Sequence, residues 1–290
     1  MGMEYYDSCP WSDECKDHRL APAVALSKAG IPCVVWAEDA LAFIRFVPTC
    51  LFSLQLFVPD ELLDRATSIL TTTYSFQSAD PPEAWCEYPM FDRTTPSCYP
   101  RSVSLSTTAP EESLHSDDPR QIWLHPQSFF SFDVRDTSLS VTLDQFPNTV
   151  RFPTRPAFLD TLFTVMLESP IGFRHHKFHG TMMTYYGYLL QYTMRGPIIL
   201  PSGELGPAHK KALCEVEEEN RPYFRHLLYR HAGSKMTLAE ATEERREIMR
   251  KLGKGPEVNR PLPRDVAAVE ARKAKAAGSA TVTQSLPNAT

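Results

Sequence analysis

Hydrophobic and polar positions in the first seventy residues follow helical and strand periods in turn. Residues 20–29 carry alanine, valine and leucine at helical spacing, and Gly30 followed by Pro32 is a common way to end a helix. The short apolar run Cys33–Trp36 then predicts a buried strand. A helix is therefore followed directly by a strand.

The same alternation continues to the end of this segment. Residues 38–47 have an apolar side at helical spacing, with two acidic residues in the first turn. Leu51–Val58 is rich in strand formers and places Ser53 and Gln55 on one face. Residues 59–70 again repeat apolar positions at helical spacing. The predicted order up to this point is αβαβα.

The middle of the chain has a different composition. Residues 75–119 are rich in proline, serine, threonine and aspartate, which predicts a loop-rich insertion. Strand patterns return at Gln121–His125 and Phe129–Val134, and a third one is weaker at Ser138–Leu143. These segments would extend the sheet as a meander, so we expect a mixed sheet.

From residue 151 onward the pattern is helical. It predicts helices over Pro156–Leu167, Thr181–Met194, Pro207–His231 with a bend at Pro222, and Leu238–Leu252 with a capping box at Thr237 and Glu240. Beyond Lys254 few large apolar residues remain to offset the entropy of ordering. We predict an N-terminal extension at 1–19, an α/β domain at 20–150 with the insertion at 75–119, a helical region at 151–253 and a disordered tail at 254–290.

Composition and charge narrow the class of protein. A hydrophobic fraction of 42% and a charged fraction of 22% are typical of soluble globular chains. The formal net charge of −5 does not favour a nucleic-acid partner. No run reaches the length of a membrane span, and the polar N-terminus has no signal-peptide pattern, so we expect a cytoplasmic protein without a membrane partner.

The seven cysteines do not form a CxxC pair, and their number is odd. In a chain of this size such a pattern indicates reduced thiols rather than a disulfide framework. Cys9 and Cys15 could form a short clip or bind a metal ion. Unpaired thiols in a flexible end are the favoured alternative.

Two runs of sequence resemble a known family. The first run resembles the N-terminal unit of nucleotidyltransferase-like proteins found in many fungi. It comprises the helical pattern from Leu20 and residues 30–70, GIPCVVWAEDALAFIRFVPTCLFSLQLFVPDELLDRATSIL. Arg151–Pro170, RFPTRPAFLDTLFTVMLESP, is more weakly similar to the segment that leads into their helical half. The resemblance implies an α/β fold of the α+β kind, in which helices flank a nucleotidyltransferase-like mixed sheet and the C-terminal half is mainly helical.

The resemblance also implies where a nucleotide site would lie. In that family a glycine-containing turn after a strand holds the nucleotide phosphates, and two carboxylates on the next strand hold Mg²⁺ ions. The matching positions here are Ala37 and Glu38 at the turn, and Ser53 and Gln55 on the strand. An acidic side chain repels a triphosphate, and neither serine nor glutamine offsets the charge of a divalent ion. The motifs are therefore degenerate.

We accordingly predict a catalytically degenerate nucleotidyltransferase-like protein that acts as a ligand-binding or protein-interaction module, with no cofactor. The partner would be an unidentified small ligand or a protein. The glycine-rich dinucleotide fingerprint and the P-loop fingerprint are both absent from the sequence. Candidate ligand-binding residues are Glu38, Ser53, Gln55, Asp133, Arg174 and Lys177.

An active enzyme with a relocated site is the alternative. Arg174–His179 is dense in potential ligands, and His175 and His179 would share one face of a helix at a spacing of four residues. Nucleotidyl transfer with Mg²⁺ and a nucleotide, or other metal-dependent chemistry, could then take place near this segment. A basic surface loop is the favoured explanation, and we expect no metal ion there.

Overall fold

The computed structural model describes residues 5–80, 86–87, 97–98, 102–146, 149–167, 176–230 and 236–254. The helices in these ranges are α1 (Asp13–Lys28), α2 (Ala37–Arg45), α3 (Leu63–Thr73), α4 (Arg155–Leu167), α5 (His176–Thr193), α6 (Pro207–Glu215), α7 (Arg221–Arg230) and α8 (Leu238–Lys251). The strands are β1 (Val34–Trp36), β2 (Leu54–Val58), β3 (Phe76–Ser78), β4 (Cys86–Glu87), β5 (Ser97–Cys98), β6 (Val103–Thr107), β7 (Gln121–Pro126), β8 (Ser140–Thr142) and β9 (Arg151–Pro153). Of the predicted disordered tail at 254–290, Lys254 is described and donates to Glu217 and Glu219, and the rest lies outside the described residues.

Seven of these strands form one mixed sheet in the order β3-β6-β7-β2-β1-β9-β8, and β4 pairs with β5 separately. β1 runs antiparallel to β2 and parallel to β9, while β2 runs parallel to β7. The remaining neighbours in the large sheet are antiparallel. The predicted mixed α/β architecture with a helical C-terminal half is confirmed.

The central strands are buried because helices cover the sheet. Every residue of β1 and β2 is buried, which agrees with their continuous apolar runs. Trp36 stacks on Phe57 at 4.6 Å and on Phe158 of α4 at 3.9 Å between ring centroids. Phe130 packs against the same rings. This aromatic cluster joins β1 and β2 to α4.

One predicted strand is wrong. Phe129–Val134 has the composition of a strand, but Gln127–Phe130 forms a 3-10 turn, and Ser131 has a left-handed φ of 52°. Phe130 and Phe132 are nevertheless buried. The aromatic residues reflect burial in the core, which a turn provides as well as a strand does.

Short strands were missed in two places. Within the predicted insertion, Phe76–Ser78 pairs with Val103–Thr107 at the edge of the sheet, and Arg151–Pro153 pairs with both β1 and β8. Strands of three to five residues contain too few positions for a period to be recognised in the sequence. β6 also contains serine and threonine, so its composition does not differ from that of the predicted loop around it.

Several helix boundaries also differ from the prediction. α1 begins at Asp13, where the Ser12 side chain accepts a hydrogen bond from the Cys15 amide, so Asp13–Arg19 of the predicted N-terminal extension is helical. The helix predicted over 207–231 is two helices, with Pro222 in the first turn of the second. The capping box of Thr237 and Glu240 is confirmed. Among the described residues, no helix combines the length and apolar character needed to cross a membrane.

Candidate functional site

The turn between β1 and α2 stands where the resemblance places the phosphate turn. Ala37 begins α2 with a left-handed φ of 60° and is completely buried. For an L-residue with a Cβ atom this conformation costs roughly 1–2 kcal/mol, and glycine adopts it freely. The backbone therefore has a shape that suits glycine, although the residue is alanine.

Glu38 follows this turn and is buried against two other elements. The Tyr185 hydroxyl of α5 donates to Glu38 Oε1 at 2.7 Å. The Gln55 amide of β2 donates to Glu38 Oε2 at 3.3 Å. Both carboxylate oxygens thus accept hydrogen bonds from the protein itself.

The polar contacts continue from Gln55 into β7. Gln55 Oε1 lies 2.9 Å from His125 Nε2, and the Ser102 hydroxyl bonds to His125 Nδ1. Because the Gln55 amide nitrogen faces Glu38, its oxygen accepts from His125, and Nε2 therefore carries the proton. Together, the five side chains of Tyr185, Glu38, Gln55, His125 and Ser102 form one network, which we call the core polar network.

Burial shifts the pKa values of this network. Desolvation raises the pKa of Glu38, and the hydrogen bond from Tyr185 opposes that shift only in part. Desolvation lowers the pKa of His125 to about 3, so this imidazole is neutral at physiological pH. The pKa of Tyr185 is raised by burial and by the Glu38 charge. In each case burial favours the neutral form of the group.

Asp39, next to Glu38, makes a separate buried ion pair. Arg19 of α1 donates through Nε to Asp39 Oδ1 at 2.7 Å and through Nη2 to Oδ2 at 3.1 Å. Arg19 Nη2 also donates to the carbonyl oxygen of Phe52 at 2.6 Å. The Arg19 side chain is 5% exposed and that of Asp39 is 0% exposed. This pair ties α1 to α2 and to the segment that enters β2.

The acidic side chains at the start of α2 and just before α3 contact residues that are distant in sequence. Glu38 and Asp39 make the buried contacts described above. Asp60 accepts hydrogen bonds from the amide and the hydroxyl of Ser128. Glu61 pairs with an exposed arginine of the turn after β7, Arg135. Distant partners therefore satisfy these carboxylates.

The other predicted site residues are dispersed. Ser53 lies just before β2, and its hydroxyl donates to Gln121 Oε1 at 3.0 Å. Asp133 is exposed and accepts from the Arg135 amide at 2.9 Å. His179 lies in α5 and is half-buried. Arg174, His175 and the side chain of Lys177 lie outside the described residues.

Replacing Glu38 with glutamine tests the cost of its buried charge. A carboxyl group whose folded pKa is raised stabilises the fold below its unfolded pKa, and this contribution is lost as the pH rises through the folded pKa. The change in the free energy of unfolding that Glu38→Gln causes should therefore be more favourable at pH 8 than at pH 4. Urea denaturation at both pH values measures this difference.

Glu61→Gln is the matched control for this experiment. Its hydrogen bond with Arg135 lowers the pKa of Glu61, so the sign of the pH-dependent difference should be opposite. An effect of Glu38→Gln that is no more favourable at pH 8 than at pH 4 would contradict the burial argument.

An open groove lies at the opposite end of α2. Its volume is about 330 Å³, and it is lined by Tyr6, Asp7, Ile44, Arg45, Phe46, Arg155, Tyr192, Thr193 and Arg195. We call it the arginine groove. Arg155 pairs with Glu215, and Arg195 pairs with Asp7 at 2.8 Å.

Arg45 is the arginine of this groove whose charge is least compensated. Its Nη2 donates to the carbonyl oxygen of Pro153 at 3.1 Å. Among the described residues, its buried Nε has no hydrogen-bond partner and its guanidinium forms no ion pair. Burial and the neighbouring Arg155 lower the pKa of Arg45 to about 10. An anion placed here would offset the repulsion between the two guanidinium groups.

The sequence did not reveal either the groove or the core polar network. Arg45 and Arg155 are separated by more than a hundred residues, and each resembles an ordinary charged residue at a helix end. The contact of His125 with Gln55 joins residues 70 positions apart. The one available signal was the polar Gln55 within an otherwise apolar strand.

Comparisons with known proteins give structural likenesses at low identity. No protein-family model matches the chain, and no curated protein matches it significantly. A Helicobacter pylori protein described as a nucleotidyltransferase is 13% identical, with a TM-score of 0.33 over 84% of this chain and 98% of its own. The JHP933 protein of Helicobacter pylori is 13% identical, with a TM-score of 0.32 over 83% and 94%. An antigenic nucleotidyltransferase-like protein of Paracoccidioides brasiliensis is 13% identical, with a TM-score of 0.35 over 88% and 97%.

Proposed function

We propose that this chain is a cytoplasmic nucleotidyltransferase-like protein that does not transfer nucleotides and that binds a small anionic ligand in the arginine groove. The observation that carries the proposal is the core polar network. At the positions where the resemblance implies phosphate and metal binding, Glu38 and Gln55 bond to each other and to buried partners.

The proposed absence of nucleotidyl transfer follows from the groups that this network offers as metal ligands. Mg²⁺ needs several oxygen ligands and is held in such enzymes by carboxylates. Gln55 supplies an amide, and Ser53 bonds to Gln121. Glu38 is the one carboxylate of the network, and Tyr185 and Gln55 already donate to both of its oxygens. A metal ion would have to break these buried hydrogen bonds.

The arginine groove offers a better place for a ligand. Guanidinium groups bind phosphate and carboxylate through paired hydrogen bonds, and Arg45 already lies partly desolvated at the groove wall. Glu215 and Asp7 offset the charges of Arg155 and Arg195, which leaves one net positive charge. Tyr192 and Phe46 add aromatic surface. The volume of about 330 Å³ suits a small phosphorylated or carboxylated molecule.

Calorimetry with inorganic pyrophosphate tests the groove. Arg45→Gln should weaken pyrophosphate binding about tenfold or more, because a hydrogen bond to a charged group is worth roughly 1.5–3 kcal/mol. Arg65→Gln is the matched control, since Arg65 is an exposed arginine that also donates to a backbone carbonyl, that of Ala29. Equal affinity in Arg45→Gln and the wild type would contradict the proposed ligand site.

An assay of pyrophosphate release tests the lack of transfer chemistry separately. With ATP or another nucleoside triphosphate and Mg²⁺, the purified chain should release no pyrophosphate. Release that persists through independent purifications and is lost in Gln55→Ala would overturn the non-catalytic proposal. Release that depends instead on His175 and His179 would support the alternative enzyme with a relocated site.

A further inference from the structure

The segment that precedes α1 lies along the arginine groove and forms part of its wall. Tyr6 and Asp7 belong to the residues that line the groove. We call residues 5–9 the N-terminal strap. The strap forms no helix or strand, and Trp11, two residues further on, is half-buried and packs against the hydrophobic core. The strap can therefore leave the groove without unfolding a helix or a strand.

The strap places a carboxylate in the arginine groove. Asp7 Oδ1 lies 2.8 Å from Arg195 Nη2, which is the distance of a charge-assisted hydrogen bond. The Tyr5 ring also faces this arginine, with its centroid 5.1 Å from the guanidinium carbon. Carboxylates and phosphates bind guanidinium groups through contacts of the same kind. Asp7 thus occupies Arg195 in the way that an anionic ligand would.

The contact between Asp7 and Arg195 is far more exposed than the one between Arg155 and Glu215. The Asp7 side chain is 88% exposed and that of Arg195 is 55% exposed. The corresponding values for Arg155 and Glu215 are 19% and 30%. Exposed ion pairs are screened by solvent and contribute little to stability. Of these two carboxylates, Asp7 is therefore the one that a ligand can replace more easily.

Two further contacts of the strap are weak. Tyr5 meets Tyr192 edge to face, with 6.3 Å between ring centroids, which is near the long end of the usual range. The Cys9 thiol donates to the carbonyl oxygen of Ala42 in α2 at 3.6 Å, and thiols are weak hydrogen-bond donors. Loss of the Asp7 contact should therefore loosen the strap and expose Cys9.

From this arrangement we infer that the strap closes the arginine groove and that an anionic group of the ligand releases it by replacing the Asp7 carboxylate on Arg195. The inference rests on the proposed ligand site, in which Arg45 holds a first anionic group. With Asp7 displaced, Arg195 is available to a second one, because both arginines line the same groove. The ligand class is therefore a molecule with two linked anionic groups, such as a diphosphate or a phosphorylated carboxylic acid.

Calorimetry of the full chain with pyrophosphate tests the competition. Asp7→Asn should strengthen pyrophosphate binding about two- to fivefold, because it removes the group with which the ligand competes and an exposed ion pair is weak. This gain should disappear in the Arg195→Gln background, since the competition takes place on Arg195. Glu111→Gln is the matched control, because Glu111 is an exposed acid that pairs with an arginine outside the groove, Arg120. It should bind pyrophosphate as the wild type does.

Alkylation of Cys9 by iodoacetamide reports on the strap, because release breaks the contact of its thiol with Ala42. Mass spectrometry of the peptides follows each cysteine separately. Saturating pyrophosphate should accelerate the reaction of Cys9 in the wild type, and Asp7→Asn should accelerate it without a ligand. Cys50, which is exposed and outside the groove lining, should react at an unchanged rate. Glu215→Gln removes a different negative charge near the groove and should leave the reaction of Cys9 unchanged.

The outcomes separate this inference from the proposed function. Pyrophosphate binding without faster alkylation of Cys9 would overturn the role of the strap and leave the ligand site intact. A gain in affinity from Asp7→Asn that persists in the Arg195→Gln background would also overturn it, because the gain would then be a general effect of charge. Absence of pyrophosphate binding in both the wild type and Asp7→Asn would refute the proposed ligand site itself, and this inference with it.

Discussion

Replacing Asp39 with alanine should lower the free energy of unfolding by about 3–5 kcal/mol. The substitution leaves the Arg19 guanidinium buried, and within the described part of the chain the Phe52 carbonyl is its remaining hydrogen-bond partner. An uncompensated charge in a desolvated position costs far more than the intact pair contributes. Urea denaturation followed by fluorescence of the buried tryptophans measures the change.

Two controls separate this effect from a general loss of surface charge. Asp13 pairs with Lys16, and its side chain is 79% exposed. Asp13→Ala should therefore change the free energy of unfolding by less than about 1 kcal/mol. The double variant Arg19→Met, Asp39→Leu removes both charges and should recover much of the loss, because no charge is then left alone. An effect of Asp39→Ala as small as that of Asp13→Ala would contradict the buried ion pair.

Acid should destabilise the protein through His125 well before ordinary carboxylates are protonated. Burial lowers the folded pKa of His125 to about 3, whereas the unfolded residue has a pKa near 6.5. Between these values the unfolded chain binds a proton that the folded chain does not, so stability falls as the pH decreases. The slope approaches about 1.4 kcal/mol per pH unit, or roughly 3 kcal/mol between pH 6.5 and 4. Urea denaturation across this range measures it.

Asp160 must be considered in the same experiment. Burial raises the pKa of Asp160 to about 7, so the folded state binds its proton more readily, and this group adds stability as the pH falls. Asp160→Asn should therefore steepen the acid destabilisation, and His125→Gln should flatten it. If His125→Gln fails to fold, the imidazole signals of the wild type remain a test. A His125 resonance that titrates near pH 6.5 would contradict the prediction.

Local sequence was informative wherever an element is long or lies in the centre of the sheet. The apolar runs of β1 and β2 predicted buried strands, and the periodic patterns around them predicted α2 and α3. A capping box marked the start of α8 because its two hydrogen bonds join residues only three positions apart. In each case the stabilising contacts are close in sequence, or burial extends over many consecutive positions.

The candidate sites depend on contacts of a different kind. The Tyr185 to Glu38 hydrogen bond joins residues 147 positions apart, and that between Gln55 and His125 depends on β2 pairing with β7. Arg45 and Arg155 meet only where α2 ends beside α4. No periodic pattern records which distant side chain will satisfy a buried donor or acceptor.

The sequence by itself determined the mixed α/β class and most of the helices. Only the tertiary structure decided that Gln55 lies within a buried network, that Phe129–Val134 is not a strand and that α1 meets the loop carrying His115. The physical reason is that amphipathic periods arise from the geometry of a single element. The satisfaction of buried polar groups depends instead on how several elements pack together.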